Sequence, residues 1–210
     1  MDAAVTFAGR DYCLLLLLLI FARGMDFLST WIATPNLVLE GNPLAKKLGW
    51  QWGLLFNIVL VGVLALWPLS AIVVATASVL VAARNFQSAW LMHSLGEEIY
   101  RQWHVERVQE TRITVYLFCL AGNTLLTAGL GAALICFSNL RLAPFAIGMG
   151  MVAYAFAVAF YTLLAIWRIR RAAKKLEARQ NSATNGKSLT ASEPVQTWVR
   201  VENHAPDKII

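Results

Sequence analysis

Charge is what this chain has least of. Only 14% of its 210 residues are Asp, Glu, Lys or Arg, against about 25% in an ordinary soluble domain. Hydrophobic residues make up 58%. A soluble helical bundle would show apolar stripes recurring at the helical period, whereas "LLFNIVLVGVLALW" and "AIGMGMVAYAFAVAFYTLLAIW" are apolar all round. These absences exclude a soluble domain and point to an integral membrane protein. Cysteine is scarce too: Cys13, Cys119 and Cys136 lie in apolar runs without CxxC spacing, so they read as packed small hydrophobes and not as a disulfide framework or a ligand set. No HExxH, GxSxG or recognisable triad is present. No long-period repeat is visible, which counts against an autonomous transporter.

The net charge of +6 does not indicate nucleic acid. "RIRRAAKKLEAR" at 168–179 holds six of the eighteen basic side chains and directly follows an apolar run. That position fits retention on the cytoplasmic side and attraction to anionic lipid headgroups at Arg168–Arg179. The first apolar run, "CLLLLLLIFA", has the length of a signal-peptide core. Its preceding Arg10 is followed by Asp11, however, and no small-residue cleavage site follows. It reads as an uncleaved span.

The expected fold class is all-α, a polytopic transmembrane helix bundle with an interfacial helix and a disordered C-terminal tail. Five spans are expected, near 12–34, 51–67, 69–92, 113–137 and 144–167. Residues 51–83 form one apolar stretch broken only by Trp67-Pro68. A single helix of that length would reach roughly 50 Å, well beyond a hydrocarbon core of about 30 Å. Proline there marks a hairpin, giving five spans, or a severe kink, giving four. With the hairpin, Lys46-Lys47, the 101–112 loop and the basic tail share one side, so the positive-inside rule favours five spans with an outside amino terminus and a cytoplasmic carboxyl terminus.

Four regions follow: a three-span module over 1–92, an interfacial helix or loop over 93–112, a two-span hairpin over 113–167, and a basic then disordered tail over 168–210. Trp90, Tyr100 and Trp103 suit an interface. Residues 180–210 are polar with little periodicity. Gly122, Gly129, Gly131, Gly148 and Gly150 suit close helix packing.

Polar residues inside the apolar runs carry what chemistry the chain offers. Asp26 sits in the first span, where a lone carboxylate costs at least about 2.5 kcal/mol. Arg23 is three residues earlier and Thr30 four residues later, both near the same helical face. An Arg23–Asp26–Thr30 stripe should therefore face other helices or a cavity, as a neutralised packing contact or as a functional polar site. Glu40-Gly41-Asn42-Pro43 follows, with Asn42 placed to cap a helix that Pro43 starts. At the inner end of the third span stand Arg84, Asn85, Gln87, Ser88, His93, Glu97 and Glu98. His93 and Glu97 are four apart, a spacing open to a hydrogen-bonded pair, proton transfer or metal ligation. Two ligands do not make a metal site, so neither a metal nor a cofactor is expected. Asn57, in an otherwise apolar span, should hydrogen-bond across helices.

"MDFLSTWIATPNLVLEGNPLAKKLGW" resembles the opening of a small prokaryotic membrane family, a domain of unknown function. Its pattern is Asp-x-x-x-Thr in a first span, a short connection, Glu-x-Asn-Pro, then two further spans. Asp26, Thr30, Glu40, Asn42 and Pro43 match it. The family often carries a lysine in the second span where this chain has Asn57, a departure from the pattern. The resemblance covers about residues 12–92, implies a three-span module, and brings no activity, substrate or cofactor with it.

Three functional classes remain. The first is a structural or interaction component of the cytoplasmic (inner) membrane, with a homo-oligomer or other membrane proteins as partners beside the lipid bilayer. The second is an intramembrane hydrolase or lipid-modifying enzyme, with Asp26, Glu40 or His93 as acid, base or ligand. The third is a small transporter or channel component with Asp26 as the ion or proton site. In the last two, Arg23, Thr30, Asn42, Asn85 and Glu97 are the candidate binding residues.

Overall fold

The computed structural model describes residues 3–36 and 43–190. Among them are six helices and no strand: α1 (Arg10–Ala33), α2 (Pro43–Leu64), α3 (Pro68–Leu95), α4 (Glu97–Glu110), α5 (Ile113–Phe137) and α6 (Leu142–Thr190). One compact unit ends at Arg170 and a second begins at Arg171. Four helices are long and apolar enough to cross a membrane: α1, α3, α5 and α6 through Ala173. The apolar part of α2, Gly49–Leu64, is shorter. At about 24 Å it falls somewhat short of a hydrocarbon core.

Trp67-Pro68 is a hairpin, not a kink. Pro68 opens α3, where its missing N–H loses no helical bond, and Trp67 before it is extended. At this end the Val5 N–H donates to the Leu66 carbonyl at 2.9 Å, and the Tyr12 hydroxyl donates to Gly62 O at 3.3 Å. At the opposite end of α2 the Trp50 indole donates to Pro35 O at 2.9 Å. So α2 runs back alongside α1, antiparallel to it. Gly49 breaks the early part of α2 with φ 68°, a backbone angle that glycine adopts without a Cβ clash.

The α1–α3 seam is built from small residues. α3 buries Ala71, Ala75, Ser78, Ala82 and Ala89, which fall at spacings of three, four and seven. α1 answers with Leu19, Ala22, Ser29 and Ala33. A seam of this period keeps one face toward its partner, and its small side chains let the two backbones approach. Tyr12, Leu19, Ala22, Val61, Ala65, Ala71 and Ala75 form the core where α1, α2 and α3 meet.

Two expectations change. The third span, expected to end near 92, runs to Leu95, where Gly96, at φ 78°, ends α3 and precedes α4. His93 and Glu97 are therefore on different helices, and their four-residue spacing does not put them on one face. Composition from residue 180 onward predicts no regular structure, yet α6 continues to Thr190. The Ala, Lys, Leu, Glu and Arg residues of 171–179 are strong helix formers, so the helix of the last span is propagated past the apolar run. Residues 191–210 of the expected tail lie outside the described residues.

Candidate functional site

The polar residues of α1 line its contact with α2 and α3 at three levels. The deepest level centres on Arg23, near the middle of α1. Its Nη1 donates to Asp26 Oδ2 at 2.7 Å and to Ser78 Oγ on α3 at 3.1 Å. Its Nε donates to Asn57 Oδ1 on α2 at 2.8 Å, and Nη2 donates to that same oxygen. The Asn57 amide nitrogen donates to Gly53 O at 2.8 Å, which holds the carboxamide with its oxygen toward the guanidinium. One cation thus ties three helices together. The Arg23 and Asp26 side chains keep only 25% and 16% of their surface exposed.

One level along, the Ser29 and Thr30 hydroxyls each donate to Asp26 O at 2.9 Å. Their remaining lone pairs accept from Asn85 Nδ2 of α3 at 3.4 Å each. Thr30 therefore meets the Asp26 backbone carbonyl and not its carboxylate. Arg23 to Thr30 on α1 and Ser78 to Asn85 on α3 are the same seven residues apart, so the two levels repeat the register of the seam.

The third level lies at the end of α1. Glu97, in the first turn of α4, accepts from the Thr34 hydroxyl at 2.7 Å. It also accepts from the Asn36 backbone N–H at 2.8 Å and from its amide at 3.1 Å. A carboxylate at a helix N-terminus is favoured by the helix dipole, and here it also fixes the chain leaving α1. Glu97→Ala is expected to speed hydrogen exchange at the Asn36 amide by at least tenfold, since hydrogen bonds to a charged group contribute about 1.5–3 kcal/mol. Exchange read by mass spectrometry on the 34–36 segment checks this; unchanged protection would contradict it.

His93 stays apart from these levels: it is exposed, and among the described residues no hydrogen bond reaches it. Glu40 and Asn42 lie outside the described residues, while Pro43 opens α2. Past Glu97, the Tyr100 and His104 rings of α4 stack at 6.0 Å. Burial pushes the His104 imidazole below its ordinary range, and burial, then Tyr116, pushes the Tyr100 hydroxyl up. Where α4 gives way to α5, Thr111 O accepts from Arg170 of α6 at 3.3 Å. The ends of α1 and α3 and Arg170 of α6 thus adjoin the α4 segment and its junction with α5.

Sequence reasoning did not anticipate Ser78. A serine in an alanine-rich span is common, and only its register with Arg23 marks it.

These features define a polytopic helical chain with four helices able to cross a membrane and a part-buried Arg–Asp–Asn–Ser cluster between three helices. No protein-family profile, curated protein sequence or solved structure matches it.

Proposed function

We propose that the chain is a structural or interaction component of the cytoplasmic membrane. It crosses five times, with its amino terminus outside and its basic carboxyl-terminal segment in the cytoplasm. The observation that carries the structural role is the engagement of Arg23 with three helices. All three guanidinium nitrogens donate into α1, α2 and α3, so the charge of Asp26 is neutralised by a group committed to packing. A proton or ion site needs a carboxylate that can exchange its partner, and this one sits 2.7 Å from a locked cation.

Support for five spans comes from the 65–67 hairpin and from the antiparallel course of α2. Under that layout Lys46-Lys47, the 101–112 segment and Arg168–Arg179 all face the cytoplasm, as the positive-inside rule prefers. The resemblance of the Asp26–Thr30 and Glu40–Pro43 motifs to a three-span family is consistent with α1–α3 forming one module.

The test separates packing from chemistry in cells. A strain lacking the protein is complemented with the Arg23→Leu, Asp26→Leu double variant, its membrane level checked by immunoblot. Full complementation at normal level is expected. Failure at normal level and normal melting temperature would overturn the structural reading in favour of an ion or catalytic role for Asp26.

A further inference from the structure

α5 presents a face that none of the described residues covers, and that face carries a polar group. Cys119, Asn123, Leu126, Leu130 and Phe137 recur at spacings of three, four and seven along α5 and are all exposed. Leu126 is 78% exposed and Phe137 84%. A different side of the helix is the packed one, with Gly131 against Gly148 of α6. Asn123 lies near the middle of the Ile113–Phe137 span, and among the described residues its carboxamide has no hydrogen-bond partner. Its backbone oxygen accepts from the Thr127 hydroxyl at 2.9 Å.

A carboxamide facing lipid at that depth is costly. It has two N–H donors and an acceptor oxygen, and hydrocarbon offers neither a donor nor an acceptor. Asparagine is also too short to lift its amide to the headgroups, as lysine or arginine can. Folding back on its own helix, as Asn57 does, would satisfy a donor and leave the oxygen unpaired. The remaining solution is a hydrogen bond across a helix interface.

We infer that the Asn123 face of α5 is the contact between two copies of this chain. A second copy is favoured because a carboxamide is its own complement. Across a two-fold axis each Asn123 donates one N–H and accepts one, giving two equivalent bonds in an isologous contact. The rest of the face is apolar and uncharged and asks for no oppositely charged partner. Both copies insert with the same orientation, so a two-fold axis along the membrane normal makes the paired α5 helices parallel. Asn123 then faces Asn123, and Cys119, one turn away, faces Cys119. The inference rests on α5 crossing the bilayer and is independent of the role assigned to Arg23.

Cys119 supplies the probe. The full chain carrying Cys13→Ala and Cys136→Ala keeps Cys119 as its single thiol. Oxidation by copper phenanthroline in membranes is expected to give a disulfide-linked dimer on a non-reducing gel. Asn123→Leu should lower its yield roughly tenfold, as the loss of an interhelical hydrogen-bond pair implies, while Asn123→Gln should retain it. Energy transfer between donor- and acceptor-labelled chains in lipid vesicles gives a second reading that does not depend on thiol geometry, with the same ordering of variants expected. Leucine in place of Asn123 leaves the fold of a single copy undisturbed, because the side chain is exposed within that copy. Absence of energy transfer in the unmodified chain, transfer undiminished by Asn123→Leu, or a cross-link only to a different protein would each overturn the inference.

Discussion

Arg23→Met is expected to lower the stability of the chain in detergent or bilayers by about 3 kcal/mol, the lower end of the range for breaking a buried ion pair. The lower end applies because neither the Arg23 nor the Asp26 side chain is fully enclosed. Methionine fills much of the arginine stem's volume, so the loss is electrostatic and not a cavity. It removes the donor that the Asp26 carboxylate, the Asn57 oxygen and the Ser78 hydroxyl share. Loss of the guanidinium beside a carboxylate at membrane depth costs stability.

Adding Asp26→Leu and Asn57→Leu to Arg23→Met should restore most of the loss, since well-packed apolar groups often replace a buried pair without penalty. Unfolding by heat or by increasing SDS, followed through tryptophan fluorescence, reads both effects. Equal stability of Arg23→Met and the parent would mean that the guanidinium does not tie the helices. A triple variant as unstable as the single one would mean that the cluster does more than neutralise itself.

The parts of this arrangement that sequence makes legible are those set by local chemistry. Hydropathy places the apolar helices within a few residues, because a run long enough to cross hydrocarbon has few other fates. Pro68 marks the hairpin because it cannot continue a helix that already ended at Leu64. The Arg23–Asp26 pair is legible for the same reason: three residues along a helix is always a neighbouring position.

What stays hidden depends on contacts between distant residues. Asn57 and Ser78 are 34 and 55 residues from Arg23, and only the crossing of α2 and α3 over α1 brings them together. Reading His93 with Glu97 fails because one glycine at φ 78° redirects the chain between them. Glu97 turns instead to Thr34 and Asn36, a partnership across 61 to 63 residues that no spacing rule anticipates. Asn123 is visible in the sequence, but its isolation is a property of the face it occupies.

The glycines divide in the same way, and the division makes the second large prediction. Five of them in α5 and α6 look equivalent in sequence, yet only three sit at a close approach. A Cβ on Gly131 would lie 2.7 Å from Gly148 O, and one on Gly148 would lie 2.6 Å from Gly131 O. A Cβ on Gly150 would meet Thr76 Cβ at 2.7 Å and Val73 O at 2.8 Å on α3. Backbone oxygens cannot rotate aside as a side chain can, so the helices must separate and lose packing along their whole contact. Packing is what holds membrane helices together, because lipid is as apolar as the helix faces.

Gly131→Ala is therefore expected to cost about 1–3 kcal/mol, as overpacking a filled interior does, with Gly131→Val at the upper end or above. Gly122 and Gly129 have nothing within 4 Å of the equivalent position. Gly122→Ala and Gly129→Ala should be neutral or slightly stabilising, since alanine is the better helix former. Melting temperatures of the three alanine variants and Gly131→Val in one detergent decide the matter. Equal loss at Gly129 and Gly131 would show that helix flexibility, and not the α5–α6 crossing, is what these glycines provide.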